Sequence, residues 1–134
     1  MSMKVNDLRV PYLRPVEIPY PLATLPDPNV TWMFQVVRKW NYLQKADAGL
    51  VGVPFDRAVV TGRQGTRYGP KAVREAFYAN STYSLELDVD LSSLTIVDCG
   101  DVEVDLMDAT ETYNRPEAAL TFIFEHNIIP LRLS

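Results

Sequence analysis

The chain has 134 residues, 47% of them hydrophobic and 22% charged, with a formal net charge of −4. That balance excludes an intrinsically disordered chain, and the lack of any run of about 18 apolar residues excludes a membrane-spanning helix. The acidic balance also argues against general binding to a phosphate backbone.

Six of the ten prolines fall between residues 11 and 28, interleaved with Tyr12, Leu13, Ile18 and Leu22. Proline fixes φ and biases its predecessor toward extended geometry, so residues 1–28 read either as an extended arm docked on a surface or as a disordered tail, ahead of a folded unit at 29–134. Asn29 suits a helix cap, and Met33, Val36, Val37, Trp40 and Leu43 follow helical spacing, with Gly49 at the expected end. Leu50 to Phe55 is a short apolar run typical of a buried parallel strand. A glycine-containing loop over 56–68 leads to Gly69-Pro70, where proline at the first position opens a second helix. Val73, Ala76, Phe77 and Asn80 mark its expected inner face.

Leu94 to Val97 reads as a second strand, terminated by Asp98-Cys99-Gly100-Asp101. Arg115-Pro116 opens a third helix with Ala119, Leu120, Ile123 and Phe124 inward, and Asn127 suits its exit. Ile128 to Leu133 is a third strand. Helix and strand thus alternate three times, which predicts an α/β fold with three layers, α/β/α, around a mainly parallel sheet of about three strands.

Ligands of open α/β sheets bind beyond the carboxyl ends of the strands. Two segments fall there. The first runs from Asp56 through Arg57, Arg63 and Arg67. It reads either as an anion cradle beside a helix N-terminus or as a scaffold loop whose arginines pair with carboxylates. The second is Asp98 to Asp101 with Glu103 and Asp105. It reads either as an oxygen-donor site for a hard cation or as a strand terminus with turn aspartates. One histidine, His126, and one cysteine, Cys99, are too few for a self-sufficient zinc site or a Ser-His-Asp triad. His126 is expected to complement the dipole at a helix end, and Cys99 to act as a small buried apolar group. The lone cysteine and an N-terminus without an apolar signal region lead to a cytoplasmic setting as the expectation.

Gly52-Val53-Pro54-Phe55-Asp56, followed by Gly62-Arg63, Gly65-Thr66-Arg67-Tyr68-Gly69-Pro70 and Val73-Arg74, resembles the N-terminal signature of the ureohydrolases. Val97-Asp98-Cys99-Gly100-Asp101-Val102 is similar to the superfamily's next motif, and the agmatinase-like branch of this arginase superfamily is the nearest pattern. The likeness covers about residues 49 to 133. It implies the α/β/α ureohydrolase fold and hydrolysis of guanidino compounds to an amine and urea at a centre of two manganese ions. In the family the metal ligands lie in Gly-Gly-Asp-His, Asp-x-His-x-Asp and Asp-x-Asp motifs. Neither histidine-bearing motif occurs in the 134 residues, and His126 does not match their histidines.

The resemblance therefore implies a truncated relative that is inactive alone, with no catalytic residue and no Mn²⁺ bound by this chain itself. Asp56, Arg63, Gly65, Arg67, Gly69, Asp98 and Asp101 remain as residues that shape the substrate site. An unpaired edge on the last strand leads to the expectation of self-association or of docking to a longer relative. The alternative is a non-catalytic interaction module.

Overall fold

A computed structural model describes residues 11–19, 27–54, 65–104 and 109–134. In chain order the elements are β1 (Leu13–Arg14), α1 (Met33–Val36), β2 (Arg38–Lys39), β3 (Ala48–Gly52), α2 (Gly69–Tyr78), β4 (Tyr83–Ser84), β5 (Val89–Asp90), β6 (Ile96–Val102), α3 (Ala109–Glu125) and β7 (Ile129–Leu133). Short 3₁₀ turns at Thr66–Tyr68 and Leu91–Ser93 precede α2 and β6.

The main sheet runs β1-β6-β3-β7, with β2 also paired to β6. β3 is parallel to both long neighbours: Ala48 lies opposite Ile96 on β6 and opposite Ile129 on β7. The chain goes from β3 through α2 to β6, then crosses back through α3 to β7 on the far side of β3. Right-handed crossovers taken in opposite directions place their helices on opposite faces of the sheet. Alternation along the strands matches this. Leu50 and Ile96 join Met33, Val37 and Tyr78 in one apolar cluster. Val51, Val97 and Cys99 join Ala119, Ile123 and Ile128 in the other. The result is the expected α/β/α layering around three long parallel strands, to which the two-residue strands β1 and β2 add. β4 and β5 form a separate hairpin.

Several boundaries differ from the sequence reading. The first helix is one turn, not an element running to Leu43. After Val37 the chain turns extended because Arg38 and Lys39 pair with Val97 and Asp98 on β6. Tertiary pairing outweighs the helical spacing there. The Asn41 side chain then accepts from the Leu43 and Gln44 amides at 2.9 and 2.8 Å, which closes a turn in place of a helix. Gly49 consequently lies inside β3, not at a helix end.

α3 begins at Ala109 and carries Pro116 in its interior, giving up the bond that residue's nitrogen would have donated. Ala119 and Ile123 are buried as expected, but Phe124 is 70% exposed. Asn127, at φ 59°, makes the exit from α3. β6 does not end at Asp98 but runs on to Val102.

The continuation of β6 depends on a bulge. Leu50 faces Asp98 while Gly52 faces Asp101, so three steps along β6 match two along β3. Gly100, at φ +86°, supplies the extra residue, and a Cβ there would collide with the carbonyl oxygen of Arg14 on β1. Without the bulge, Asp98 and Asp101 would project from opposite faces. With it, both reach the α2 face.

The described part of the arm closes over this bulge. Leu13 pairs with Val102 and Arg14 with Asp101. Glu103 N–H donates to the Tyr12 carbonyl at 2.7 Å. Gly100→Ala is expected to lower stability by about 2–4 kcal/mol through the positive φ and the collision with Arg14. It should also speed hydrogen exchange at the Glu103 amide, and a variant with the parent's urea midpoint contradicts this account.

Candidate functional site

The carboxyl ends of β3 and β6 meet the first turns of α2. A Cβ on Gly52 would collide with Oδ1 of Asp101 and lie 2.8 Å from Cβ of Pro70. The bare backbone of Gly52 is thus what admits both the carboxylate and the start of α2.

At the centre stands Arg74, one of three buried residues of α2 with Pro70 and Tyr78. The expected inner face, Val73 to Asn80, is off by one position: Val73 is 42% exposed. The i, i+4, i+8 stripe of 70, 74 and 78 faces the sheet instead. An apolar count misses it because its middle member is a cation that is buried only by virtue of its partners.

Arg74 Nε donates to Asp98 Oδ2 at 2.9 Å and Nη2 to Asp98 Oδ1 at 3.0 Å, a two-pronged pair. Nη1 donates to Asp101 Oδ1 at 2.6 Å, and Nη2 also to the Gly100 carbonyl at 2.9 Å. The Tyr78 hydroxyl donates to Asp98 Oδ2 at 2.7 Å, and the Gly100 amide donates to Asp98 Oδ1 at 2.9 Å. Side-chain exposure is 3% for Arg74 and 0% for Asp98. Both oxygens of Asp98 therefore accept two bonds each, which fills the capacity of a carboxylate.

Burial works against the Arg74 charge, yet the hydrogen bonds and charges of Asp98 and Asp101 outweigh it and raise its pKa. Burial, then the Asp98 charge, raises the Tyr78 pKa far above its ordinary value, so its hydroxyl stays a donor. The same two causes push the Cys99 thiol up to about 12, which leaves it no thiolate character at neutral pH.

Of the residues singled out from sequence, Asp98 and Asp101 are brought together here, while Asp56 and Arg63 lie outside the described residues. Gly65 is exposed, with open space around it. Arg67 is exposed and stacks over the Tyr68 ring at 5.1 Å. Gly69 opens α2 beside the Ser134 carbonyl. Arg74 enters the sequence reading only as the end of the Val73-Arg74 motif and not as a site residue, and Tyr78 does not enter it. The signal that could have found them is the i, i+4 spacing of a cation and a phenol on a helix that precedes an Asp-x-x-Asp strand.

A cation site fits these donors poorly. Asp98 is saturated, Asp101 is drawn onto Arg74, and among the described residues no three of His, Cys, Asp and Glu gather where they could hold a metal. The arrangement instead braces: it ties α2 to the bulged end of β6 and fixes the backbone from Asp101 to Glu103.

A parallel sheet with helices on both faces, braced at its carboxyl end in this way, defines an open-sheet α/β domain, a class whose members seat ligands beyond their strand ends. The model of the arginase family matches residues 46–134, and the chain belongs to that family. It is 29% identical over 104 residues to a formimidoylglutamase of Halalkalibacterium halodurans, covering 78% of this chain and 32% of that protein. It is 35% identical over 92 residues to the N(1)-aminopropylagmatine ureohydrolase of Thermococcus kodakarensis, covering 67% and 32%. Among solved structures, the formimidoylglutamase of Bacillus subtilis superposes with a TM-score of 0.70 at 22% identity, over 83% of this chain and 35% of that one. The fold is thus the arginase fold. The chain spans about a third of the length of these relatives.

Two outcomes follow from the buried network. Arg74→Met leaves Asp98 charged and unpaired inside the fold and is expected to cost about 3–5 kcal/mol. Arg74→Lys should recover only part of that, because one ammonium cannot span both Asp98 oxygens, Asp101 and the Gly100 carbonyl. Urea denaturation of the two variants checks this, and equal stability of Lys and Arg contradicts the two-pronged account.

Alkaline stability gives the second outcome. The Tyr78 and Cys99 pKa values are raised on folding, so the folded state keeps protons that the unfolded state releases. Their contribution is complete below the thiol's ordinary 9.0 and fades as pH rises toward about 12. The unfolding free energy from urea titration is expected to fall across that window, by up to about 4 kcal/mol from the thiol alone. The slope should be shallower in Cys99→Ala, and a flat profile from pH 9 to 12 contradicts it.

Proposed function

We propose that this chain is the N-terminal portion of a hydrolase that cleaves guanidino compounds to an amine and urea, agmatinase-like in its motifs. In this reading it builds and braces the substrate side of the site and supplies none of the metal ligands. The observation that carries it is the saturated network of Arg74, Tyr78, Asp98 and Asp101 at the carboxyl end of β6. Family membership and the motifs of 52–74 and 97–102 support the chemistry class.

Gly69, Asp98 and Asp101 shape the site by fixing the α2 start and the β6 end. Gly65 and Arg67, which lead into α2, and Asp56 and Arg63, which lie outside the described residues, complete the set of site-shaping residues in this reading. Residues 1–28 serve as an arm and 29–134 as the α/β unit. Donors for the two manganese ions of the family have to come from beyond these residues. A cytoplasmic setting suits the one buried, unpaired Cys99.

A second reading, as an interaction module that pairs with itself or a longer relative, is favoured by one observation. Ile129 and Leu131 on β7 are 64% and 42% exposed, and the side of β7 away from β3 pairs with nothing among the described residues. One preparation tests both. The 134-residue chain, given agmatine, arginine or a guanidino acid with excess Mn²⁺, is expected to release no urea. In light scattering it should exceed its own 15.2 kDa. Mn²⁺-dependent urea release overturns the first reading. A constant monomer mass at all concentrations overturns the second.

A further inference from the structure

Arg74 and Asp101 also face a pocket of about 320 Å³ between the arm and α2. Val16, Glu17 and Pro19 wall it on the arm side, and Lys71 and Glu75 on the helix side. Arg74 and Asp101, with side chains 3% and 13% exposed, form its base, while the exposed Glu17, Lys71 and Glu75 form its rim.

That base is the part of the buried network with bonds to spare. The contacts of Arg74 with Asp98, Asp101 and the Gly100 carbonyl use all of its N–H donors but one, and the one left is on Nη1. Nη1 gives its other proton to Asp101 Oδ1 at 2.6 Å, and Asp101 Oδ2 has no partner among the described residues. A buried donor and a buried acceptor left unpaired both cost free energy. Here they are neighbours, because one short contact joins the two groups that carry them. A ligand with an acceptor and a donor on adjacent positions satisfies both at once.

Charge decides the kind of donor. At the base, Asp98 and Asp101 oppose one guanidinium, so one negative charge is left over. At the rim, Glu17 is paired with Lys39 at 2.7 Å, and Lys71 and Glu75 offset each other one helical turn apart on α2. The pocket as a whole is therefore suited to a monocation. One free carboxylate oxygen is too few for a metal ion, which takes several oxygens, but it is enough for one ammonium group. Val16 and Pro19 add an apolar wall beside it.

We propose that this pocket binds a small amino alcohol. Its ammonium donates to Asp101 Oδ2, its neighbouring hydroxyl oxygen accepts from Arg74 Nη1, and a short branched alkyl group lies against Val16 and Pro19. The volume stands at the small end of ligand pockets, which begin at about 300 Å³. An amino acid with the same skeleton fits worse, because its carboxylate returns a negative charge to a base that already has one in excess. The site stands apart from the hydrolase reading: it needs no metal, and the release of urea has no bearing on it.

Calorimetric titration of the 134-residue chain with leucinol, at neutral pH and low salt, is expected to show one saturable site of millimolar affinity. Asp101→Asn, which keeps an acceptor for Arg74, should weaken it about tenfold through the lost charge-assisted bond. The exposed rim supplies two variants that leave the core untouched. Lys71→Ala should tighten leucinol and Glu75→Gln should weaken it, each about twofold. Leucine, and isohexanol, which lacks the nitrogen, should both bind about tenfold more weakly than leucinol. The proposal is overturned if leucinol gives no saturable heat up to tens of millimolar, or if isohexanol binds as well as leucinol does. It is equally overturned if Asp101→Asn, folded by circular dichroism, and both rim variants bind as the parent does.

Discussion

One guanidinium shared between two carboxylates holds the carboxyl end of this molecule together. Arg74 reaches from the middle of α2 to Asp98 and Asp101 on β6, almost out of contact with water. Bringing one cation and two anions into an apolar interior costs several kcal/mol per ion before any partner is found. The structure offsets this with four bonds from the guanidinium and a full set of four on Asp98, which includes those from the Tyr78 hydroxyl and the Gly100 amide. The surplus negative charge sits on Asp101, the more exposed of the two aspartates at 13%.

Such a pair is weak evidence for net stability, since a well-packed apolar replacement can match it. Its stronger effect here is on register. A slip of β6 by one residue would carry Asp98 to the α3 face, among Val51, Ala119 and Ile123, where no cation waits. That state is heavily penalised, whereas a purely apolar strand such as Ile96-Val97 tolerates a slip far better. The bulge at Gly100 belongs to the same constraint, because only there can the strand gain one residue and turn Asp101 toward Arg74. Gly52 completes it by leaving room for that carboxylate. Three local features, each odd alone, are thus consequences of seating one buried cation.

This explains what the sequence discloses and what it hides. The long elements α2, β6, α3 and β7 are legible because turn chemistry marks their ends and apolar runs fill them: Pro70 at a helix start, Asn127 at an exit, Ile96-Val97 in a strand. The helix expected from Met33 to Leu43 fails because β6 offers an unpaired edge that only the folded sheet creates, and Arg38-Lys39 takes it. The inner face of α2 is misjudged for a related reason. Hydropathy ranks Arg74 as a surface residue, and only a partner 24 positions away reverses that. Asp98 and Asp101 are legible as a pair of acids but not as a saturated pair, since the bulge that aligns them leaves no trace beyond one glycine.

The two segments that carry the family likeness, Gly52 to Arg74 and Val97 to Val102, then turn out not to be separate signals. They are the two halves of one bonded network: Arg74 from the first, Asp98, Gly100 and Asp101 from the second. Neither half is stable in its observed form without the other, because Arg74 alone is a buried cation and Asp98 alone a buried anion. Their joint appearance in order along a chain therefore reports a physical contact at the carboxyl end of a parallel sheet, the end where such folds seat their ligands. What the network provides is position. It uses the acids that a cation would need to hold the carboxyl ends of β3 and β6 and the start of α2 as one fixed base. That base is complete within the residues described.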